Sequence, residues 1–334
     1  MTSIAPRFIL KRMKNGQAPS TPGEYREVII IGADGFLGSF ICRYLTESGW
    51  KVFPTVFSRS PEKNEIRLDV RKPEDFRKLP EKIPLINTAG LPDQSAGISL
   101  MREVHIQGMK NLVSWAEKSD SPHIIHTSSV AVYGNATVGT GRSEIATPRR
   151  SRNPLTAPLP YGRTKARAEV VLEKSGLPWS GLRFPAIYGP GDSFFTRQLR
   201  LLLEDSNKPL PPGGNKRVSI MPVDQTGSLM ESLLNHGPLN TALNAAGSHI
   251  PWETILEAYA DAWGKELRKA RHISLKDFLK FSDPGRQMAA YYAAFGAEFP
   301  DSEIRRILNW QPGGDWRKTV RRAAEAETRR QKTL

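Results

Sequence analysis

The sequence predicts an α/β fold, a doubly wound parallel sheet with a smaller, mostly helical cap. Three observations predict it. Short apolar runs alternate with segments at helical spacing from residue 28 to residue 184, the texture of strand–helix–strand units rather than of hairpins. The first run, Val28-Ile29-Ile30-Ile31, shows no alternation and is β-branched throughout, which suits a strand buried on both faces of a parallel sheet. Beyond Gly191 the alternation loosens into more helix, more proline and a Pro211-Pro212-Gly213-Gly214 turn.

The elements follow in order. The first 26 residues, rich in Pro, Gly, Ser and Lys, read as a flexible basic arm. After the strand at 28–31 and a glycine turn, residues 39–48 have helical spacing and end at Gly49, a residue suited to the left-handed conformation that closes helices. A second strand over 51–57 completes one βαβ unit in about thirty residues. Leu85-Ile86-Asn87 is a strand ending in Thr88-Ala89-Gly90, and 101–118 is an amphipathic helix. A strand at 123–127, a helix with a charged face at 163–174 and a strand at 179–184 continue the alternation.

Composition narrows the function. With 334 residues, 39% hydrophobic and 25% charged, the chain has the make-up of an ordinary globular protein. No apolar run approaches the roughly 20 residues of a membrane helix, and the patch Phe8-Ile9-Leu10 is too short for a signal peptide. A cytoplasmic location is the expectation. The lone Cys42 excludes an internal disulfide framework and a thiolate metal cluster, and no histidine spacing suggests zinc, so no metal is expected. Net charge is +14, but the excess gathers at the ends: residues 305–334 hold nine Lys or Arg against Asp315, Glu325 and Glu327. Such ends are expected to be solvated, without a specific nucleic-acid partner, and an anionic small ligand inside the body is the better explanation.

Gly32-Ala33-Asp34-Gly35-Phe36-Leu37-Gly38 carries glycines at i, i+3 and i+6 directly between a strand and a helix. Gly32 permits the tight turn, Gly35 lets backbone approach a pyrophosphate, and Gly38 lets helix pack on strand. The helix start at Phe36 and Leu37 then offers free N–H groups and the positive end of the dipole to the anion. A dinucleotide is implied. An acidic residue at the end of the second strand would select NAD, but the chain reads Phe57-Ser58-Arg59-Ser60, and an arginine suits the 2′-phosphate of NADP. NADP is expected, with NAD as the alternative. Asp69, in Leu68-Asp69-Val70, is placed to accept from an adenine amino group.

Tyr161-Gly162-Arg163-Thr164-Lys165 sets a phenol and an ammonium four residues apart at a helix start, hence on one face. A phenol titrates near 10. A neighbouring ammonium and an oxidised nicotinamide favour phenolate and lower that value, making the tyrosine an acid/base for a substrate oxygen. Ser128 and Ser129 end the strand at 123–127 and project at the carboxyl edge of the sheet, where ligands bind in such folds.

Together these motifs resemble the extended branch of the short-chain dehydrogenase/reductase superfamily, the NAD(P)-dependent epimerase/dehydratase-like group. The resemblance runs in order over about 28–247 and adds Asn87-Thr88-Ala89-Gly90, Thr127-Ser128-Ser129-Val130-Ala131-Val132-Tyr133-Gly134 and Leu182-Arg183-Phe184-Pro185-Ala186-Ile187-Tyr188-Gly189-Pro190-Gly191. It implies Ser129 as the catalytic hydroxyl with Ser128 as runner-up, Tyr161 as acid/base, and Lys165 holding the nicotinamide ribose and tuning the tyrosine. It further implies that Asp69 and Val70 border the adenine, Ala89 and Gly90 the nicotinamide-side phosphate and ribose, and Pro185 the nicotinamide. By the same resemblance, 27–191 plus 218–250 form the dinucleotide-binding domain, 192–217 plus 251–325 the substrate cap, and 326–334 a basic tail. A homodimer is one expected assembly.

The departures are specific. His105 stands where the group usually has asparagine, either to cap a backbone group or to relay protons, and Met221-Pro222-Val223-Asp224-Gln225 lacks the group's usual histidine. Lys216 and Arg217 are candidates to meet an anionic substrate, and the cap aromatics (Phe194 and Trp252 among them) to line an apolar one. The leading function is interconversion of a secondary alcohol and a ketone by hydride transfer. The alternatives are a sugar-nucleotide epimerase or dehydratase, and a non-enzymatic NADP-binding regulator. Val130-Ala131 after the catalytic hydroxyl, in place of an Asp-Glu pair, argues against a dehydratase. The full Ser129/Tyr161/Lys165 set argues against the regulator.

Overall fold

Glu27–Ile31 forms β1, with every residue but the first buried. Its alternate side chains serve two cores: Val28 and Ile30 face one hydrophobic cluster, Ile29 and Ile31 the other. That two-sided burial explains the missing alternation in the sequence. The computed structural model describes residues 26–91, 96–134, 160–204, 215–267 and 296–332. The 211–214 turn, His272 and the aromatics Phe278, Phe281, Tyr291, Tyr292 and Phe295 lie outside the described residues, as does all but the last residue of the basic arm.

After β1 come α1 (Phe36–Glu47), β2 (Lys51–Val56), β3 (Ile66–Arg67) and β4 (Leu85–Asn87). Then follow α2 (Ile98–Arg102), α3 (Gly108–Lys118), β5 (Ile124–Ser129), α4 (Pro160–Ser175) and β6 (Trp179–Phe184). The helix expected over 101–118 is interrupted by a π-turn at Glu103–Gln107, centred on the buried His105. A π-turn inserts one residue and rotates the side chains after it, and such bulges gather at functional sites.

The large sheet has the order β3-β2-β1-β4-β5-β6-β9, where β9 is Thr241–Asn244, and every pairing in it is parallel. The order reverses between β1 and β4, so the crevice for a ligand opens at their carboxyl ends. One face is covered by α1 and α6 (Thr226–His236), whose Gly227 lies so close to Tyr44 that a Cβ would sit 2.3 Å from its ring. The other face is covered by α3 and α4 through Met109, Leu112, Ala168 and Leu172. This is the doubly wound α/β fold.

The cap holds a small sheet as well as helices. Its order is β10-β8-β7, with β7 at Ala186–Tyr188, β8 at Arg217–Pro222 and β10 at Ser248–Pro251. Residues 218–221, expected in the main layer, therefore pair with β7 and β10, and the return to the large sheet is made by β9. α5 (Phe195–Glu204), α7 (Trp252–Ala262) and α9 (Trp316–Lys332) enclose a separate core around Tyr188, Phe195 and Tyr259. α8 (Ser302–Leu308) instead packs on the large-sheet side through Ile304.

This interleaving has a consequence for truncation. A 27–191 fragment lacks β9, which pairs with β6 over four residues, and α6, which covers α1. It is expected to be poorly soluble and unable to bind a dinucleotide. Recovery of a monodisperse, cofactor-binding 27–191 fragment would overturn the interleaved division.

Candidate functional site

The cradle is built by close backbone approach. Gly32 has φ +86°, a Cβ at Gly38 would stand 2.1 Å from the Gly32 carbonyl, and one at Gly35 would stand 3.2 Å from the same oxygen. Thr88 Oγ1 donates to the Ile31 carbonyl at 2.7 Å, tying the turn to β4. α1 begins at Phe36 with no side chain capping its first turn, so its leading N–H groups are left for an anion. These residues fit the pyrophosphate of a dinucleotide.

At the far end of the cradle the structure finds a residue the sequence reading passed over. The Asp34 carboxylate accepts from the Phe57 N–H (2.9 Å), the Ser58 N–H (2.6 Å) and Ser58 Oγ (2.7 Å). Burial opposes its ionisation, but the bonds from Ser58 and Phe57 outweigh it and hold the carboxyl below its usual range. Asp34 thus clamps the glycine turn to the end of β2. Its place inside the glycine motif was the available signal. Arg59 is exposed, but its guanidinium makes a two-pronged pair with Glu65 at 2.5 and 2.6 Å. Asp69 is buried and bonded by Arg71 through both carboxylate oxygens, at 2.9 and 2.7 Å. Val70 is fixed by α3: Asn111 donates to its carbonyl at 2.9 Å, and a Cβ at Gly108 would meet its side chain at 2.9 Å. Arg217 is likewise occupied, by Glu298 and the His249 carbonyl.

Ser129, Tyr161 and Lys165, the candidate catalytic residues, lie where β4, β5 and α4 meet. Ser129, half-buried at the end of β5, accepts from the Ala131 N–H at 3.1 Å, and its side chain favours the ionised form of Tyr161. Ser128 points to the opposite side, where it donates to Glu169 in a buried cluster with Arg183. One residue of strand period separates the two serines, and only Ser129 reaches the tyrosine. Lys165, one turn beyond Tyr161, is buried and donates to the Thr127 carbonyl at 2.9 Å. A Cβ at Gly90 would approach its Nζ to 3.2 Å, so the Ala89–Gly90 backbone forms a shelf against the ammonium. Pro185 is buried between β6 and β7.

The electrostatics differ from the sequence expectation. Burial pushes the Tyr161 phenol up to about 12, with the bond to Ser129 opposing. Burial pulls Lys165 down to about 8, with Glu169 opposing. In the chain alone desolvation outweighs the opposing effect of Ser129, so Tyr161 is a protonated acid at neutral pH.

His105 caps a backbone group: its Nε2 accepts the Leu91 N–H at 2.9 Å, and its Nδ1 lies 2.8 Å from Thr164 Oγ1. His126, within β5, is buried, with neither ring nitrogen bonded to a protein group. Among the described residues no group of histidine, cysteine and carboxylate side chains is arranged to hold a metal, and no helix is long and apolar enough to cross a membrane.

The family model for the NAD dependent epimerase/dehydratase family matches residues 28–246, the span that holds the glycine turn and Ser129, Tyr161 and Lys165. The chain belongs to this family. Solved structures share its fold. The DesIV double mutant, a dTDP-glucose 4,6-dehydratase from Streptomyces venezuelae with NAD bound, superposes with a TM-score of 0.70 at 18% identity, covering 92% of this chain and 98% of that one. The UDP-glucose 4-epimerase of Thermus thermophilus, complexed with NAD, gives 0.63 at 18% identity over 90% and 98%. RMD from Pseudomonas aeruginosa, complexed with NADPH, gives 0.63 at 18% identity over 90% and 99%. No curated protein matches the chain in sequence.

Proposed function

We propose that the chain is an NAD(P)-dependent enzyme that moves hydride to or from a secondary hydroxyl carbon, with Ser129, Tyr161 and Lys165 as its catalytic residues. One arrangement carries this reading: the Ser129 side chain at the end of β5 favours ionisation of the Tyr161 phenol, while Lys165 lies buried one helical turn away, against the Gly90 shelf. The Gly32 turn and the open first turn of α1 hold the pyrophosphate, and Ala89, Gly90 and Pro185 border the nicotinamide end. When bound, the nicotinamide ring supplies the hydride acceptor or donor. Ser129 Oγ orients the substrate oxygen. Tyr161 Oη gives a proton to that oxygen in reduction, the direction for which its protonated state is ready, and takes one in oxidation. Lys165 holds the ribose and, as ammonium, stabilises the phenolate.

Family membership favours a particular form of this chemistry, in which the same carbon is oxidised and re-reduced with no net change in cofactor. Relatives of the same fold are a UDP-glucose epimerase and a dTDP-glucose dehydratase, which supports a sugar nucleotide as substrate. The dehydratase branch needs a further acid and base, and Val130-Ala131 supplies neither after Ser129. The deciding experiment incubates the protein with NAD⁺ or NADP⁺ and either UDP-glucose, dTDP-glucose or a panel of secondary alcohols, and reads cofactor absorbance beside product stereochemistry. Stoichiometric reduced cofactor supports a dehydrogenase, and an epimeric product without it an epimerase. Cofactor binding with neither product, across the panel, contradicts both.

The cofactor preference rests on Arg59. To meet a 2′-phosphate it must exchange Glu65 for the ligand, a move open to an exposed side chain at the rim of the cradle. Arg59→Ala is expected to weaken NADP⁺ binding about 10- to 100-fold, from the 1.5–3 kcal/mol of a bond to a charged group, and to leave NAD⁺ binding unchanged. Titration of both cofactors checks it; equal NADP⁺ affinity in the two proteins removes Arg59 from the site.

A further inference from the structure

We propose that His105 is a positioning residue, which holds the Ala89–Leu91 shelf and the Tyr161/Lys165 face of α4 in register through a single neutral tautomer. The inference rests on the catalytic reading of Tyr161 given above and concerns what fixes that residue in place. Thr164 Oγ1 commits its hydrogen to the Tyr161 carbonyl at 2.8 Å. It therefore accepts, and His105 Nδ1, 2.8 Å away, carries the proton that it accepts. The other ring nitrogen is then an unprotonated acceptor, and it meets the Leu91 N–H at 2.9 Å. The hydrogen bonds of the chain Leu91–His105–Thr164–Tyr161 all run in one direction, with Thr164 Oγ1 accepting from the ring and donating to the carbonyl.

The surroundings enforce that state. The ring is 4% exposed, and burial, with the Lys165 charge nearby, pulls its pKa down to about 3. A second proton on the ring would turn Nε2 into a donor facing the Leu91 N–H donor. Among the described residues, Tyr161 stands edge-on to the ring at a separation of 5.7 Å, a Cβ at Gly90 would stand 3.5 Å from Nε2, and Lys165 is the charge that acts on it. The π-turn at Glu103–Gln107 carries the side chain into this gap between β4 and α4. The ring bridges shelf and helix through hydrogen bonds at both ends, so a relaxation here changes the separation between Gly90 and the Tyr161 phenol. Displacements of about 1 Å at a reacting centre cost up to about a hundredfold in rate.

The two ends of the imidazole can be tested apart. An asparagine amide reaches about as far as Nδ1 and a glutamine amide about as far as Nε2, so His105→Asn keeps the Thr164 end and His105→Gln keeps the Leu91 end. Two readouts apply to the full chain: NADH affinity by fluorescence, which reports the shelf, and the ionisation of Tyr161 in the NAD⁺-saturated protein, read as an ultraviolet pH titration of each protein minus its Tyr161→Phe counterpart. His105→Ala is expected to lose about tenfold in both. His105→Gln should recover most of the NADH affinity, and His105→Asn most of the Tyr161 titration. In a cycle with Thr164→Val, the double variant His105→Ala/Thr164→Val should be no worse in the Tyr161 readout than Thr164→Val alone, because the two act in series.

The proposal is overturned if His105→Ala, folded by circular dichroism, leaves both readouts at wild-type values, or if Gln and Asn fail alike to restore either one, which makes the ring packing only. A wild-type protein that binds NADH but shows no titration removable by Tyr161→Phe overturns the catalytic reading of Tyr161 itself, and with it the basis of this inference. Normal wild-type behaviour with an indifferent His105→Ala overturns the inference alone.

Discussion

Lowering the pH from 7.5 to 5 is expected to remove about 4 kcal/mol or more of folding stability, through buried histidines rather than carboxylates. His105 and His123 are each 4% exposed. Burial is the main cause holding both near 3 in the folded chain, helped by Lys165 for the first and His236 for the second, against 6.5 when unfolded. The sign follows from linkage. Below pH 6.5 the unfolded chain binds a proton at each site and the folded chain does not, so stability falls as the pH drops through that window and continues to fall toward 3. At pH 5 each site has crossed about 1.5 units, or about 2 kcal/mol at 1.36 kcal/mol per unit. His126, lowered well below 6.5 by burial, adds to the loss in the same direction. The carboxylates held low, such as Asp69 and Asp301, start from 3.8 and act below this window. Asp192, raised by burial, works in the opposite sense there. Against a typical total of about 5–15 kcal/mol, the loss brings the chain close to unfolding. Denaturant titrations at pH 5, 6 and 7.5 check it, and His123→Gln should flatten the slope by up to one proton. A midpoint that does not move between pH 7.5 and 5 refutes the assignment.

Those histidines mark the boundary of what the sequence discloses. The strand–helix alternation and the glycine turn were legible because they depend on local signals: a β-branched run and glycines at i, i+3 and i+6 between strand and helix. Burial of His123 was not legible. It depends on Ser180, 57 residues away, whose hydroxyl is 2.8 Å from the ring while accepting the Leu239 N–H at 2.9 Å. The same holds for the serines. Period-two alternation says that Ser128 and Ser129 face opposite sides, but only the Glu169–Arg183 pair on one side tells which is consumed structurally. Lys165 and Glu169 share a helix face, so that partner was within reach of the sequence. Arg183 was not, because strand neighbours are set by the sheet order. The membership of β8 in the small sheet was hidden for that reason too: its run, Val218 to Val223, reads like any buried strand, and only its pairing with β7 and β10 distinguishes it.

Tyr161→Phe is expected to lower turnover of any accepted substrate by about 10²–10⁴-fold, the usual contribution of a positioned general acid or base, with little change in cofactor affinity. Phenylalanine keeps the ring against His105 and deletes only the hydroxyl. Lys165→Met separates a second effect. The ammonium sits in a buried place that pulls it from 10.5 to about 8, so the folded chain strains against its charge at neutral pH. Removing a charge that burial disfavours removes its desolvation cost, and Glu169, the carboxylate acting on Lys165, keeps its ion pair with Arg183. The methionine variant is therefore expected to unfold at an equal or higher temperature than wild type at pH 7 while losing both rate and cofactor affinity. The sign depends on pH. Between about 8 and 10.5 the unfolded chain holds a proton at Lys165 that the folded chain has lost, so wild-type stability rises with pH there, and the methionine variant's advantage should shrink. Ser129→Ala should lower rate with a smaller effect on binding, since Ser129 meets the substrate oxygen and Tyr161 rather than the cofactor. The measurement is turnover over a pH series for all three variants, beside thermal unfolding at pH 7 and pH 9.5. A Tyr161→Phe protein with wild-type turnover and an unchanged pH profile removes Tyr161 as the acid/base. A Lys165→Met protein that melts lower at pH 7 than at pH 9.5 relative to wild type shows that the ammonium stabilises the fold, contrary to its buried setting.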